Sequence, residues 1–505
     1  MIDWLLQVFG YHPKTPLLYT QLLFWAFFTI FFSGYLLFYR ESRNRSLYLA
    51  LVSLFLYYKA GGLFFFLLLF STLADYLLGW RIHRAEDRFH KKLYLAASVS
   101  INLGVLAYFK YTFFLVGLIS SLTGLGLQPY DYLSATANAV AGTGFDVESI
   151  FLPIGISFYT FQTISYTADI FRGKAEPVPR IIDFAFYVCF FPQLVAGPIV
   201  RAAEFVPQIF KPYQVSVQEF GSALFLILNG LVKKILISDY ISINFVDRVF
   251  ESPLRYSGFE NLMAVYGYAI QIYCDFSGYS DIAIGLALLL GFRLPLNFNS
   301  PYKALDITDF WRRWHMSLSR WLRDYLYIPL GGNRKGRLRT RLNLMLTMLL
   351  GGLWHGAAWK FVIWGGLHGL ALGLHKMWRE FRGERRSSRP WARLASGVLT
   401  FHFVCLGWIF FRAPGLNEGL TMLSQIFTFF RADLMLEVLG SYYKVFLVMG
   451  LGYFFHWLPS DWKEQLRDRF VLLPDPVKAT VLASALLLLY QVKSSDVQPF
   501  IYFQF

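Results

Sequence analysis

Long apolar runs, separated by short clusters of charge, dominate the chain. A helix needs about 20 residues to cross the hydrocarbon layer of a bilayer. The runs that approach or exceed this length are 17–39, 93–118, 150–171, 220–237, 262–290 and 394–411. They are continuously apolar, so we predict helices, whose backbone groups are paired within each segment. With marginal candidates, the pattern predicts an all-α polytopic membrane protein of about eleven membrane helices plus re-entrant or interfacial helices.

No soluble domain is expected. The longest polar stretches contain about 30 residues, fewer than a domain needs to fold by itself. We therefore treat residues 1–505 as a single membrane domain.

The basic residues lie in short loops beside the apolar runs, as in cytoplasmic loops of membrane proteins. Arg40, Arg43 and Arg45 follow the first run, whereas 119–149 contains three acids and no Lys or Arg. We therefore expect the N-terminus and 119–149 to be extracytoplasmic, and no cleaved signal peptide. The net charge of +15 reflects topology, so nucleic acid is not an expected partner.

Between the basic loops 40–45 and 81–92 the chain is expected to enter the membrane and return, as two short helices broken near Gly61-Gly62. A second hairpin is expected between the basic loops 334–341 and 376–393, because the 34 residues between them must enter the membrane and return. Its turn should lie in the Gly- and Trp-rich centre, 351–359, which places His355 deep in the bilayer. Lys360, just beyond, then needs a polar partner or water. Gly365, Gly369 and Gly373 predict a close helix contact on the returning arm.

His355 is the strongest candidate for catalysis. A histidine in an apolar segment is costly to charge, so it stays neutral and able to accept a proton. Trp354 and Trp359 flank the same predicted turn. The alternative is a hydrogen-bonded structural histidine.

His315 is the second candidate. The segment 306–332 predicts one interfacial amphipathic helix, with Asp306 and Asp309 as its caps. Its apolar face carries Trp311, Trp314, Leu318, Trp321, Leu322 and Tyr325. His315 should point into the protein. The arginines of the opposite face, Arg312 and Arg313 among them, either follow lipid headgroups or attract the phosphates of an anionic donor such as a coenzyme A thioester.

The remaining histidines, aspartates and cysteines give little support for a metal site or for other chemistry. His368 and His375 lie seven residues apart on one helix face, but no HxxxH or HxxHH pattern occurs, so no metal site is predicted and helix packing is the preferred role. Asp169, Asp275 and Asp281 lie in or beside apolar runs and keep a transporter in consideration. Cys189, Cys274 and Cys405 have no pairable spacing and are expected to be buried thiols.

Six motifs resemble the membrane-bound O-acyltransferase (MBOAT) family, specifically its bacterial alginate O-acetylase branch. They are FFPQLVAGPIVR (190–201), YCDFSGYSDIAIG (273–285), LNFNSPY (296–302), FWRRWHMSLSRWLRDYLYIPLGGNR (310–334), MLLGGLWHGAAW (348–359) and FIYFQF (500–505). The core of the resemblance is expected over 150–412. It implies a helical fold with a central tunnel from a cytosolic donor side to an extracytoplasmic acceptor side.

The resemblance also implies site residues and partners. His355 matches the family's central histidine and His315 its second functional histidine. Arg312, Arg313, Trp311, Trp354, Trp359 and Asp275 are candidates for substrate or donor binding. The implied reaction is O-acetyl transfer from cytosolic acetyl-CoA toward an extracytoplasmic polysaccharide such as alginate, with a periplasmic partner of the SGNH type, in the bacterial inner membrane. No tightly bound cofactor is expected.

Three alternatives stay open. Two are transfers by the same chemistry: D-alanyl transfer to teichoic acid and acyl transfer to a lysophospholipid. The third is a transporter of polysaccharide or lipid intermediates, which would use the intramembrane carboxylates instead of an acyl donor.

Overall fold

A computed structural model describes residues 8–12, 16–141, 146–383, 389–492 and 500–501. Residues 384–388 of the second basic loop and 502–505 of the last motif lie outside this part. Within the described residues the chain forms helices joined by turns, and no strand occurs. The all-α prediction is therefore confirmed.

The first half of the chain forms twelve labelled helices. They are α1 (Leu22–Phe38), α2 (Ser42–Gly61), α3 (Phe65–Arg84), α4 (Arg88–Leu106), α5 (Thr112–Thr123), α6 (Tyr132–Ala141), α7 (Ile156–Phe171), α8 (Ile181–Cys189), α9 (Phe191–Leu194), α10 (Ala202–Ile209), α11 (Val217–Leu231) and α12 (Asp247–Glu251).

The second half continues with α13 (Gly258–Leu289), α14 (Ile307–Trp311), α15 (Met316–Leu322), α16 (Gly336–His355), α17 (Trp359–Arg382), α18 (Pro390–Arg412), α19 (Leu416–Thr428), α20 (Met435–Ser441), α21 (Tyr443–Trp457), α22 (Ser460–Leu472) and α23 (Asp475–Val492). Four π-helical segments of the described chain extend these helices, at Ala107–Tyr111, Val232–Asp239, Ser242–Val246 and Arg323–Tyr327.

Six helical stretches of the described chain are long and apolar enough to cross a membrane: Ser42–Arg84, Arg88–Thr123, Val217–Glu251, Gly258–Leu289, Pro390–Arg412 and Asp475–Val492. A seventh results if Ala432–Ser441 and Tyr443–Trp457, bent by 88°, form one span. The expected count of about eleven is not confirmed. One reason is that the run 150–171 forms only the 16-residue α7, which is shorter than a membrane span. In addition, 15 of its residues are buried within the protein.

Local chemistry explains where several helices begin and end. Ser216 and Ser257 each form a capping box with the Glu three residues later, at the starts of α11 and α13. Gly62 adopts φ 61° between α2 and α3, which confirms the break predicted at Gly61-Gly62. The predicted return through the membrane is not confirmed, because α2 and α3 belong to one apolar helical stretch, Ser42–Arg84.

The centre of the fold is α13, most of which is buried. It packs on α11 where Gly230 meets Gly278. A Cβ at Gly230 would lie 2.5 Å from the Gly278 carbonyl oxygen, so only glycine allows this backbone contact. The three cysteines are buried thiols, as expected.

Candidate active site

The predicted hairpin is formed by α16 and α17, with its turn at residues 356–358. The two arms approach closely at two glycines of α17. A Cβ at Gly365 would lie 2.3 Å from the Met348 carbonyl oxygen, and one at Gly369 would lie 3.1 Å from the Met345 Cα. A Cβ at Gly373 would meet no atom within 4 Å. The predicted helix contact is therefore confirmed at Gly365 and Gly369 but is wrong at Gly373, where the arms have diverged.

His355 ends α16 and is only 4% exposed. Its ring is enclosed by aromatic rings, with centroids 5.0 Å from Trp354, 5.1 Å from Trp364 and 5.2 Å from Phe411. The residue is thus held in a buried aromatic cage at the hairpin turn, not in a solvated surface loop. Lys360, at the start of α17, finds the polar partner it requires: its ammonium donates to the Ala413 carbonyl oxygen at 2.8 Å.

Two residues that sequence reasoning did not select hold the end of α16. The last carbonyl groups of a helix have no partner within it. The Lys110 ammonium donates to the carbonyl oxygens of Trp354 at 2.6 Å and His355 at 3.2 Å, and the Tyr111 hydroxyl donates to that of Leu353 at 2.9 Å. The available signal was a lysine interrupting an otherwise apolar run.

Lys110 and Tyr111 lie in the π-helical segment Ala107–Tyr111, which directly follows α4. Such a one-turn bulge inserts an extra residue, redirects the side chains beyond it and is frequent at functional sites.

His315 is fully buried. The single helix predicted over 306–332 is wrong, because the chain breaks between α14 and α15, and His315 occupies the break with φ 41°. A left-handed backbone is uncommon for a residue other than glycine and persists only where surrounding contacts impose it. The Asp306 side chain caps α14, whereas the Asp309 side chain pairs with Arg313. Of the predicted apolar face, Trp311, Trp314, Leu318, Trp321 and Leu322 are buried, and Tyr325 is half-buried.

Asn297 supplies the contacts that hold His315. Its Oδ1 lies 3.1 Å from His315 Nδ1 and accepts from the Ser317 hydroxyl at 2.9 Å. The Asn297 backbone carbonyl accepts from Met316 N at 2.9 Å. Because Oδ1 is an acceptor, the neutral His315 ring carries its proton on Nδ1 and its lone pair on Nε2.

Trp354 links the two histidines. Its ring centroid lies 5.0 Å from that of His355 and 6.0 Å from that of His315. The indole also stacks on the Phe161 ring, at 5.4 Å. The structure therefore brings both predicted histidines and Trp354 into one buried group.

The two remaining aromatic candidates, Trp311 and Trp359, lie in different surroundings. Trp311 is buried and packs on Trp364 at 5.7 Å, so it lies one ring away from His355. Trp359 is 55% exposed and contacts Phe114 at the outer surface of the hairpin.

The two arginines face different surroundings. Arg312 is exposed and lines an open cleft of about 820 Å³ between α17 and α18, with Arg379, Arg382 and Arg393. Arg313 is half-buried, pairs with Asp309 at 3.0 Å and donates to the Asn299 carbonyl oxygen.

Asp275 lies in a buried ion pair. Its Oδ1 is 2.6 Å from the Lys234 ammonium, which also pairs with Asp239 at 2.8 Å. Its Oδ2 accepts the backbone N–H of Ile501 at 2.8 Å, which anchors the C-terminal segment. Both oxygens of this carboxylate are therefore engaged within the protein.

His368 and His375 lie apart. His368 is fully buried among Trp311, Trp364 and Phe403, whereas the ring of His375 is hydrogen-bonded to the Thr308 hydroxyl. No group of three His, Cys, Asp or Glu that could hold a metal ion is found among the described residues.

The sequence model of the MBOAT, membrane-bound O-acyltransferase family matches residues 105–411. The chain belongs to this family. The match runs from the end of α4 to the end of α18 and contains Lys110, Asn297, both histidines and the hairpin. As a membrane-bound O-acyltransferase, the protein is a membrane-embedded enzyme that transfers acyl groups.

Individual relatives agree with the family. The chain is 36% identical over 434 residues to the peptidoglycan O-acetyltransferase of Helicobacter pylori, an alignment that covers 80% of this chain and 78% of the relative. It is 39% identical over 414 residues to the probable alginate O-acetylase AlgI of Pseudomonas aeruginosa, covering 81% and 74%. A teichoic acid D-alanyltransferase of Bacillus subtilis is 29% identical over 271 residues, covering 51% and 68%.

Proposed function

We propose that this membrane-bound O-acyltransferase moves acetyl groups from cytosolic acetyl-CoA toward hydroxyl groups of an extracytoplasmic polysaccharide such as alginate, across the bacterial inner membrane. A periplasmic SGNH-type acetyltransferase would complete the transfer. The relatives that cover about four fifths of the chain support this choice, because their names specify O-acetyl transfer to alginate or peptidoglycan.

The observation that carries the proposal is the pair of buried imidazoles that share Trp354, with the carbonyl oxygens of Trp354 and His355 held by Lys110. Neither histidine lies on the surface, and both are oriented by neighbouring groups. Such a fixed arrangement suits acyl transfer, in which positioning two substrates supplies much of the rate acceleration.

His355 is the proposed general base. Its neutral ring accepts the proton of an acceptor hydroxyl while the hydroxyl oxygen attacks the thioester carbonyl carbon. The carbon–sulfur bond then breaks, and the leaving thiolate takes the proton back from the imidazolium. The products are an acetyl ester and the free thiol of coenzyme A, with the base returned to its neutral form.

His315 is proposed to position a substrate. With its proton facing Asn297, the neutral ring has its lone pair on Nε2, so a hydrogen bond between this nitrogen and a substrate would be donated by a substrate N–H or O–H group. Polarising a carbonyl oxygen would require a donor instead. The tautomer therefore favours orientation of a substrate donor group.

Arg312 is the proposed contact for the donor's phosphates. It lines the cleft of about 820 Å³ between α17 and α18, whose wall includes Ile307, Leu367 and Phe403. A guanidinium group binds phosphate oxygens in pairs, and the cleft is large enough for much of a coenzyme A molecule. Arg382 and Arg393, at the same rim, would extend the contact.

The decisive experiment supplies labelled acetyl-CoA to inverted vesicles containing the wild type, His355→Gln or the control His402→Gln. His402 is an exposed histidine hydrogen-bonded to the Tyr266 hydroxyl. We expect His355→Gln to lower label transfer at least about 100-fold, the usual contribution of a general base. Protein level should stay unchanged, and His402→Gln should retain wild-type transfer. Unaltered transfer by His355→Gln would refute the assignment.

Two further versions of this experiment, one with a different acyl donor and one with a different acceptor, distinguish the alternative transfer reactions. A D-alanyl thioester of a carrier protein replaces acetyl-CoA in one arm, because the teichoic acid D-alanyltransferase of Bacillus subtilis is also similar to this chain. A lysophospholipid replaces the polysaccharide in another. In cells, His355→Gln should remove acetyl ester while polymer export continues. The opposite result, export lost and acetylation kept, indicates a transporter.

A further inference from the structure

A second group of positive charges lies at the C-terminal end of α21, apart from the cleft. The Lys463 ammonium donates to the carbonyl oxygen of His456 at 2.9 Å and to the Ser300 hydroxyl at 3.0 Å. The Lys303 ammonium donates to the carbonyl oxygen of Leu458 at 2.6 Å. Lys233 and Arg313 also lie within electrostatic range of the His456 ring. Four cationic side chains therefore surround one helix end.

The carboxylates near this group are already used. Asp281 pairs with Lys233 at 2.7 Å, and Asp309 pairs with Arg313 at 3.0 Å. Lys303 and Lys463 form no ion pair with a described residue, and their acceptors are all neutral oxygens. Capping of a helix C-terminus explains one hydrogen bond from each lysine. It leaves two half-buried positive charges that form no ion pair of their own, since Asp281, the carboxylate in electrostatic range of Lys463, is held by Lys233.

The pKa values of Lys463 and Lys303 reflect the crowding of these positive charges. Burial and then the charges of Lys303 and Lys233, partly offset by that of Asp281, lower the pKa of Lys463 to about 8. Burial, followed by the charge of Arg313, also lowers the pKa of Lys303. A bound anion would relieve this repulsion.

His456 supplies an independent indication. The residue is 2% exposed, and its Nε2 accepts the backbone N–H of Tyr302 at 3.4 Å. The neutral ring therefore carries its proton on Nδ1. Nδ1 has no hydrogen-bond partner among the described residues. A buried donor without an acceptor costs about 1–3 kcal/mol, and the same residue's carbonyl oxygen accepts from Lys463.

We infer that Lys303, Lys463 and the Nδ1–H of His456 form a binding site for a phosphate group. Two ammonium groups and one neutral donor suit the several acceptor oxygens of a phosphate better than a single carboxylate. The group would be that of an anionic phospholipid or of a free phosphorylated molecule.

The site is connected to the candidate active site. Ser300, which accepts from Lys463, follows Asn299, whose backbone N–H donates to the carbonyl oxygen of Arg313 at 2.9 Å. Arg313 lies two residues before His315. A phosphate bound here would brace the segment whose left-handed turn places His315.

The test measures binding, so it does not depend on acyl transfer. The full-length protein in neutral detergent is titrated separately with inorganic phosphate and with dioctanoyl phosphatidylglycerol, against dioctanoyl phosphatidylcholine, with the melting temperature as readout. The variants are Lys303→Gln/Lys463→Gln, the charge-preserving Lys303→Arg/Lys463→Arg, and the control Lys444→Gln. Lys444 is an exposed lysine of the same helix α21.

We expect the anionic probe to raise the melting temperature of the wild type and of Lys444→Gln, with at least tenfold weaker binding in the double Gln variant. The double Arg variant, which keeps the charges and also reports on folding, should bind within about threefold of the wild type. Stabilisation by phosphatidylglycerol alone identifies a lipid headgroup, and stabilisation by inorganic phosphate identifies a free phosphorylated ligand. Binding by neither, or equal binding by the double Gln variant, would overturn the inference.

Discussion

The ammonium group of Lys110 lies 2.6 Å from the carbonyl oxygen of Trp354, although 244 residues separate them in the chain. The same group also reaches the carbonyl oxygen of His355. One lysine from the helical stretch Arg88–Thr123 thus satisfies the end of the helix that carries the proposed base. We expect this contact to help position His355, together with its own hairpin.

Replacing Lys110 by Met should therefore impair both stability and catalysis. Two carbonyl oxygens would lose their ammonium partner, which should lower the free energy of unfolding by about 1–3 kcal/mol. The same change should reduce kcat for acetyl transfer, because the end of α16 is released. Tyr111→Phe, which removes the single bond to the Leu353 carbonyl oxygen, should cost only about 0.5–1.5 kcal/mol. A Lys110→Met enzyme with wild-type kcat would show that this contact does not position His355.

Asn297→Ala should act through His315. The substitution removes the oxygen that faces His315 Nδ1, so the ring loses its orientation and its defined tautomer. We expect kcat to fall about 10- to 100-fold, with a smaller change in the KM of the donor. Ser280→Ala is the control, since it removes only the weak 3.4 Å bond from Asn297 Nδ2. Equal kinetics of the two variants would argue against a positioning role.

Glycine substitutions on α17 should have opposite effects along one helix face. In Gly365→Ala the new methyl group meets the backbone of α16, so we expect a loss of about 1–3 kcal/mol. Gly373→Ala meets no atom and should raise the stability by up to about 1 kcal/mol through helix propensity. Thermal unfolding of both purified variants measures the difference, and equal melting temperatures would contradict the observed hairpin packing.

The two tryptophans that flank His355 in sequence should differ in importance. Trp354→Leu removes the ring shared by both histidines and should reduce acetyl transfer strongly. Trp359→Leu alters a 55% exposed side chain and should leave transfer within about twofold of wild type. Initial rates at saturating acetyl-CoA, corrected for protein amount, provide the comparison. The reverse order of effects would move the site toward the outer surface of the hairpin.

Asp275→Asn should affect stability rather than the donor. Removing one partner of a buried ion pair costs about 3–5 kcal/mol, and we expect the lower end because Lys234 keeps Asp239. The KM for acetyl-CoA should stay within about twofold of the wild-type value. A large rise in KM with unchanged melting temperature would instead support the donor-binding role first considered for this residue.

Much of the fold could be predicted from local pattern. Apolar runs, glycine pairs and short basic loops indicated helices, the break at Gly61-Gly62 and the hairpin with its turn within 351–359, which the structure narrows to 356–358. Each of these features depends on residues close in sequence, and the lipid requirement for paired backbone groups leaves few alternatives. The number of membrane spans was less predictable, because burial of α7 within the protein produces the same apolar run as contact with lipid.

Amino-acid sequence by itself determined that the chain is a helical membrane protein and that His355 and His315 were the histidines to examine. Tertiary structure decided what surrounds them. The cap from Lys110, the left-handed break at His315 and its contact with Asn297 are made between groups that are distant in sequence or governed by packing, and no helical periodicity encodes them. The same holds for Asp275, whose carboxylate serves a buried ion pair because folding brings Lys234 and Ile501 to it.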